Sequence, residues 1–141
     1  MNQLAPPVEK MIELIELGVD CSTSSAVYCL TDSGYKLIAR PYTSFCPTFR
    51  SEFCVPALTL SDMLQMLPFK IEEYELSVSF HGDESCVQYE DPSTGYGLMY
   101  FYDKLPINAA YRAIQHCTLS GYIKTNSYDK GTISDSSCVA R

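Results

Sequence analysis

The stretch that decides the fold is residues 74–90, YELSVSFHGDESCVQYE. Apolar and polar side chains alternate on both sides of a Gly82-Asp83 dipeptide, which is the pattern of two strands that each turn one face to a core. A two-residue turn at this dipeptide fixes the register of the hairpin. The inner face then pairs Val78 with Val87 and Leu76 with Tyr89, and the outer face pairs Glu75 with Glu90, Ser77 with Gln88 and His81 with Glu84.

The next segment predicts a third strand at about 96–102, after a turn formed by DPSTG. With a five-residue turn, Gly97, Met99 and Phe101 face inward. The outer face then carries Tyr96, Leu98, Tyr100 and Tyr102 beside Cys86. A face this rich in tyrosine is either covered by the N-terminal hairpin and the phenylalanine-rich loop after it, or offered to a partner. We favour internal cover.

Three further segments predict amphipathic helices, which span about 7–17, 60–67 and 106–120. The second helix has the clearest local signals, because Thr59 can cap it in a reciprocal pair with Asp62 and Pro68 ends it. Proline opens the other two helices and glycine closes them. The apolar stripe of the third helix consists of Ile107, Ala110, Tyr111, Ile114, Cys117 and Thr118.

Residues 26–40, AVYCLTDSGYKLIAR, predict an N-terminal hairpin, and a loop rich in proline and phenylalanine follows it. Together these elements predict an α+β fold in which helices cover one face of an antiparallel sheet. The core strands of that sheet lie at about 74–80, 85–90 and 96–102. We expect residues 1–124 to form a single domain, and the polar composition of residues 125–141 predicts a disordered tail.

The chain has 141 residues, of which 46 % are hydrophobic, and this composition is typical of a globular protein large enough to bury a core. No apolar run approaches the roughly 20 residues that span a bilayer. The N-terminal segment has no basic region before an apolar core, and Glu13 and Glu16 interrupt its apolar residues, so we expect no signal peptide. The sequence therefore predicts a cytoplasmic protein with no membrane association.

The seven cysteines are an odd number, and their spacing forms no compact disulfide framework. Such usage fits a reducing compartment, where a free cysteine commonly behaves as a small buried hydrophobic residue. Two pairs of cysteines, Cys21 with Cys29 and Cys46 with Cys54, are each separated by eight positions. Neither pair has the C-x2-4-C spacing of zinc ligands. We expect no metal and no cofactor.

The formal charge of −7 is unevenly distributed. Between Lys70 and Asp91 there are seven acidic residues and one lysine, so a single hairpin carries most of the net charge. This field repels phosphate and argues against direct nucleic-acid binding, and it leaves basic surfaces or cations as candidate partners. The simplest interpretation is a solvated, carboxylate-rich face. The more specific one is a protein-partner surface made of Glu75, Glu90, Tyr96, Tyr100 and Tyr102.

His116 and Cys117 stand next to each other in the third helix and invite a catalytic or metal-binding interpretation. Neighbouring residues on a helix point about 100° apart, so these two side chains cannot form the hydrogen bond that a nucleophile and its base require. We expect Cys117 at the core and His116 in solvent. Nucleotide-binding, serine-hydrolase and metalloprotease motifs are absent from the sequence.

Four segments, in this order, carry a resemblance: IELGVDCSTSSAVY (15–28), VPALTLSDMLQMLP (55–68), YELSVSFHGDESCVQYED (74–91) and PINAAYRAIQHCTLSGYI (106–123). The chain resembles a group of small proteins of no established activity from prophages and other mobile elements of gut Bacteroidales bacteria. The likeness covers about residues 8–124 and rests on architectural features. It implies a fold and a genetic setting, and it carries over no catalytic residues.

These observations predict a non-enzymatic accessory or protein-interaction domain. Two alternatives stay open. One is a small cysteine-dependent hydrolase whose nucleophile and histidine meet only in the folded protein, and the other is an acidic decoy that binds a basic protein surface. A catalytic thiol must be largely thiolate, so fast alkylation near neutral pH would favour the hydrolase. Competition with DNA for a basic protein would favour the decoy.

Overall fold

The structure is a computed structural model that describes residues 4–39 and 54–125. Within these ranges the chain forms three helices and two antiparallel sheets, which is the predicted α+β class. The predicted phenylalanine-rich loop after residue 40 and the predicted polar tail beyond residue 125 lie outside the described residues.

The observed elements follow the predicted ones closely, and each helix lies within one residue of its expected bounds. The helices are α1 (Val8–Glu16), α2 (Leu60–Met66) and α3 (Pro106–Leu119). The strands are β1 (Ala26–Thr31), β2 (Gly34–Ala39), β3 (Cys54–Ala57), β4 (Lys70–Ile71), β5 (Tyr74–His81), β6 (Glu84–Glu90) and β7 (Gly97–Asp103). The strands β3 and β4 are missing from the sequence prediction, because two to four residues show no alternation.

The acidic hairpin forms the middle of a four-stranded sheet with the order β4-β5-β6-β7. Its turn contains Gly82 with a φ of 65°, a conformation that glycine adopts without strain. The tight turn and the alternation of side chains together fix the register of the hairpin. The observed pairing confirms the predicted register. The observed partners are Glu75 and Glu90, Leu76 and Tyr89, Ser77 and Gln88, Val78 and Val87, and His81 and Glu84.

A β-bulge interrupts the register between β6 and β7. Tyr89 pairs with Met99, whereas the next residue, Glu90, pairs with Gly97, so Leu98 is an extra residue on β7. The prediction that Gly97 faces inward is wrong, because the extra residue moves it to the outer face. The remaining inward residues of β7 pack against the core as predicted.

The N-terminal hairpin belongs to a separate three-stranded sheet with the order β2-β1-β3. In this sheet β3 is an edge strand, and its Pro56 pairs with Val27. An edge is where a sheet tolerates proline, because proline cannot donate a hydrogen bond to the ladder. At the end of the same ladder, Cys29 pairs with Cys54.

One hydrophobic cluster of buried residues draws on both sheets and all three helices. α3 packs on β6 and β7, α2 packs on α3, and α1 packs on β3. Strand β6 therefore lies at the centre, where Tyr89 is fully buried and its hydroxyl donates to the carbonyl of Pro68 at 2.7 Å.

The helix ends follow the local rules that predicted them. Thr59 Oγ1 accepts from the Asp62 amide at 3.2 Å, and Asp62 Oδ2 accepts from the Thr59 amide at 2.9 Å, so the capping box is confirmed. At the end of α3, Gly121 has a φ of 85°. The amide of Tyr122 then donates to the carbonyl of Cys117 at 2.8 Å, which is the wide bond of a Schellman cap.

Candidate functional site

The outer face of the four-stranded sheet brings together four of the five residues predicted as a partner surface. Glu75 on β5, Glu90 on β6, and Tyr100 and Tyr102 on β7 share this face, as the register requires. Tyr96 lies apart from them in the turn before β7, and its side chain is 75 % exposed. We call Glu75, Glu90, Tyr100 and Tyr102 the outer-face cluster.

A hydrogen bond from the Tyr100 hydroxyl to Glu90 Oε2, at 3.0 Å, organises this cluster. The bond is the largest cause of a raised pKa at Tyr100, so the hydroxyl stays protonated and remains a donor. The rings of Tyr100 and Tyr102 lie nearly parallel, with 14° between their planes and 6.2 Å between their centroids. Gly97 makes room for this arrangement, because a Cβ at that position would overlap the Tyr100 ring.

The side chains of the cluster's tyrosines are open to solvent. Tyr100 is 41 % exposed and Tyr102 is 47 % exposed, and the bulged Leu98 beside them is 40 % exposed. The N-terminal hairpin, one of the two expected covers, leaves these side chains exposed, and the phenylalanine-rich loop lies outside the described residues. The physical reason is that the N-terminal hairpin pairs with β3 in its own sheet. An aromatic surface thus stays available for contact with another molecule.

Carboxylates border the exposed tyrosines. In the ladder, Glu75 stands between Lys70 on β4 and Glu90 on β6, so it has one opposite charge and one like charge as neighbours. Farther along the same face, Glu84 pairs with His81. Like charges on directly opposed residues destabilise a sheet. A cationic group arriving from outside would therefore find carboxylates whose mutual repulsion it reduces.

A second polar group on this face links Ser79, His81 and Gln88. Ser79 Oγ donates to Gln88 Oε1 at 3.0 Å, and it lies 2.9 Å from His81 Nε2. A hydroxyl has one proton, so the imidazole is the donor in the second bond. In this arrangement the Ser79 proton is directed at Gln88, whereas a nucleophilic serine gives its proton to the imidazole. The predicted site residues do not include this group, although the two-residue spacing of Ser79 and His81 indicates a shared face.

Three thiols among the described residues are poorly suited to nucleophilic catalysis. Burial raises the pKa of Cys21 to about 12 and that of Cys117 to about 11. Burial also raises the pKa of Cys86, which pairs with Tyr102 on the outer face. A catalytic thiol needs a lowered pKa, because the thiolate is the nucleophile. The direction of all three pKa shifts therefore weighs against the hydrolase alternative at these positions.

The neighbours His116 and Cys117 point in different directions, so the predicted divergence is confirmed. Cys117 is fully buried within the core. His116 is exposed, and its ring centroid lies 5.7 Å from that of Phe101. Its Nε2 lies 3.4 Å from Ser120 Oγ, one helical turn farther along α3. Each side chain therefore has a local packing role.

An open cavity of about 350 Å³ lies where the N-terminal ends of α1 and α3 meet the end of β7. Its charged groups already contact other parts of the chain. Arg112 Nη1 donates to the carbonyl of Tyr102 at 2.6 Å, and Lys10 lies over the ring of Tyr111 at 5.3 Å. Asp103 accepts from the Leu105 amide at 3.0 Å. These contacts identify the cavity as a junction between elements.

Within residues 4–39 and 54–125, no group of three His, Cys, Asp or Glu side chains could hold a metal ion. No helix in the same ranges is long and apolar enough to cross a membrane. No protein-family model matches this chain, and neither the curated proteins nor the solved structures contain a significant match.

Proposed function

We propose that this chain is a non-enzymatic interaction domain that binds a basic segment of another protein on the outer face of its four-stranded sheet. The observation that carries the proposal is the hydrogen bond between Tyr100 and Glu90 on an exposed aromatic surface. It holds a carboxylate beside two open tyrosine rings. A guanidinium group can stack on such a ring while it donates hydrogen bonds to the carboxylate.

The charge distribution supports a basic occupant. The segment from Lys70 to Asp91 contains seven acidic residues and one lysine. Complementary charge accelerates association and orients the partner, and the aromatic groups then supply contact area. The acidic-decoy alternative uses the same face and differs only in the partner, which would be a nucleic-acid-binding surface. Competition between DNA and this chain for the identified partner distinguishes the two.

The setting that we propose is a bacterial cytoplasm, in a cell that carries a prophage or a related mobile element. The support comes from the sequence alone. It consists of the resemblance described above and of an odd number of cysteines without a disulfide framework. The binding proposal does not depend on this setting, because it rests on the geometry of the outer face.

A direct binding measurement tests the proposal. A fluorescent peptide of about ten residues that alternates arginine and glycine is titrated with the full chain, and fluorescence anisotropy reports its binding. A peptide with glutamate in place of arginine is the charge control. We expect binding of the basic peptide only, and we expect Tyr100→Ala to weaken that binding at least about tenfold.

The matched control variant is Tyr122→Ala. Tyr122 is 42 % exposed, close to the 41 % of Tyr100, but it follows α3 and lies outside the four-stranded sheet. Its removal should leave the affinity for the basic peptide unchanged. Equal losses in the two variants would show that any exposed tyrosine serves, and unchanged affinity in Tyr100→Ala would show that the cluster is not the binding surface. Either result overturns the proposal.

A further inference from the structure

We propose that Cys29 and Cys54 form a dithiol site that takes up a disulfide bond from a low-molecular-weight disulfide such as oxidised glutathione. The two residues are direct partners in the ladder between β1 and β3. Their Sγ atoms lie 4.0 Å apart, and both side chains are half-buried. The site lies in the three-stranded sheet, so this inference is independent of the outer-face cluster.

The register provides a strand pair of the kind that suits a disulfide. Antiparallel ladders alternate between hydrogen-bonded pairs and non-hydrogen-bonded pairs, and side chains lie closer in the second kind. Because Pro56 has no amide hydrogen, its pairing with Val27 fits the second kind. Cys29 and Cys54 are two positions farther along and belong to the same kind. The Cα atoms of such pairs are about 4.5 Å apart, within the range that disulfides span.

The sulfur atoms are close enough for a small movement to join them. A disulfide bond is about 2.05 Å long, so the two atoms must approach each other by about 2 Å. A change of side-chain rotamer moves a cysteine sulfur by a distance of this order. The backbone register can therefore stay as it is while the bond forms.

Among the five cysteines that the structure describes, the same two are also the more accessible. Cys29 and Cys54 are half-buried, whereas Cys21, Cys86 and Cys117 are buried. Thiol–disulfide exchange needs access of the small disulfide to a sulfur atom. Among the described cysteines, Cys29 and Cys54 thus combine accessible thiols with a short distance between their sulfur atoms.

The reaction is a two-step exchange. The thiolate of one cysteine attacks a sulfur atom of oxidised glutathione, forms a mixed disulfide and releases one glutathione thiolate, which takes up a proton. The thiolate of the second cysteine then attacks the protein sulfur of the mixed disulfide and releases the second glutathione. The protein loses two electrons and two protons, and these reduce one glutathione disulfide to two glutathione molecules.

The bond would link a central strand to an edge strand. Cys29 and Cys54 are 25 positions apart in the sequence, so the cross-link closes a loop that the unfolded chain otherwise leaves open. Constraint of the unfolded chain stabilises the folded one. The three-stranded sheet would therefore be reversibly reinforced under oxidising conditions, and reduction would release it.

Redox titration of the full chain tests this inference. The protein is equilibrated in mixtures of reduced and oxidised glutathione, quenched with acid, alkylated and digested, and its peptides are identified by mass spectrometry. We expect a peptide pair cross-linked through Cys29 and Cys54, with the loss of two of the seven thiols of each chain. The oxidised protein should also unfold at a higher temperature, and reduction should reverse this increase.

Two variants complete the test. Cys54→Ser should abolish both the cross-link and the increase in unfolding temperature, and Cys29→Ser should do the same if the first variant folds poorly. Cys21→Ala removes a buried thiol from outside the ladder and should retain the cross-link. Glutathione adducts without a cross-link in the unaltered chain would overturn the inference. A dominant cross-link through any other cysteine would overturn it as well.

Discussion

The carboxylate of Asp62 accepts two hydrogen bonds from Ser25, one from its amide at 2.8 Å and one from its hydroxyl at 2.6 Å. These residues are 37 positions apart. The same carboxylate accepts from the Thr59 amide at the start of α2. One side chain therefore ties the segment before β1 to the first turn of α2, and it joins the three-stranded sheet to the helical layer.

The hydrogen bonds between Thr59 and Asp62 at the start of α2 predict the effect of Thr59→Ala. The substitution removes the hydroxyl that accepts from the Asp62 amide, so we expect the free energy of unfolding to fall by about 1 kcal/mol. Urea denaturation measures the change. Ser61→Ala deletes an exposed hydroxyl from the same turn and serves as the control, with no loss expected. An unchanged midpoint in Thr59→Ala would contradict a stabilising cap.

The additional hydrogen bonds between Asp62 and the distant Ser25 predict a larger effect for Asp62→Ala. This change leaves the amides of Ser25 and Thr59 without their acceptor, so we expect a loss of roughly 2 kcal/mol in the free energy of unfolding, more than for Thr59→Ala. Burial alone would raise the pKa of the Asp62 carboxyl. The hydrogen bonds from Ser25 and Thr59 outweigh burial and hold that pKa below its ordinary value.

The sign of the pH dependence of Asp62 follows from this lowered pKa. A carboxyl whose folded-state pKa lies below its unfolded value, about 3.9, contributes its stability above that value. The contribution disappears as the pH falls through the folded-state pKa. We therefore expect the stability difference between the unaltered chain and Asp62→Ala to be constant near neutral pH and to shrink below about pH 4. Urea denaturation across this range measures it, and a difference that stayed constant or grew as the pH fell below about 4 would contradict the assignment.

The sequence allowed prediction of those parts of the fold whose causes lie close together in the chain. The register of β5 and β6 depends on the Gly82 turn and on alternation within a few residues, so it was accessible. The contact between Ser25 and Asp62 depends on where two distant segments meet, and spacing carries no signal for it. The strand β3 was missed because its four residues show no alternation, and because Pro56 opposes a strand assignment unless its edge position is known.

The candidate site was partly predictable for the same reason. Side chains alternate between the two faces of a strand, and this alternation predicted that Glu75, Glu90, Tyr100 and Tyr102 share one face. The observed register agrees. The exposure of that face depends on the position of the N-terminal hairpin, which is a tertiary property. The inward prediction for Gly97 failed because turn length alone does not reveal a bulge.

Slow alkylation is the expected behaviour of Cys117. Its pKa of about 11, against a usual value of 9.0, leaves about a hundredfold less thiolate near neutral pH, and burial also keeps reagents away. We expect iodoacetamide to modify this residue slowly in the folded protein and at an ordinary rate in guanidinium. Mass spectrometry of timed samples measures both rates. Fast modification of the folded protein would restore the hydrolase alternative.

Gly97→Ala should separate binding from stability. The new Cβ overlaps the far end of the Tyr100 side chain, which is exposed and can rotate away. Alanine is also less costly to order than glycine, so we expect the free energy of unfolding to change by less than about 0.5 kcal/mol. The displaced Tyr100 loses its hydrogen bond to Glu90, so affinity for the basic peptide should fall to that of Tyr100→Ala. A variant that combines Gly97→Ala with Tyr100→Ala should bind the basic peptide no more weakly than either single variant. Additive losses of affinity would contradict the proposal that Gly97 acts through Tyr100.

Glu75→Gln should separate the structural role of the acidic face from its binding role. Glu75 has Glu90 on one side and Lys70 on the other, so loss of its charge removes one repulsion and one attraction. These effects oppose each other, and charge pairs at the protein surface contribute little to stability even where, as here, the two glutamates are half-buried. We therefore expect the free energy of unfolding to stay within about 0.5 kcal/mol of its original value or to rise slightly.

Binding of the basic peptide to Glu75→Gln should weaken, and the loss should be largest at low salt, where charges attract over the longest distance. Glu16→Gln removes an exposed charge from α1, away from the outer face, and should change the affinity little. Thermal unfolding and peptide titration of both variants distinguish the interpretations. A marked loss of stability in Glu75→Gln would show that this carboxylate is structural. Equal affinity in the two variants would show that the hairpin's charge keeps the protein soluble and contributes nothing specific to binding.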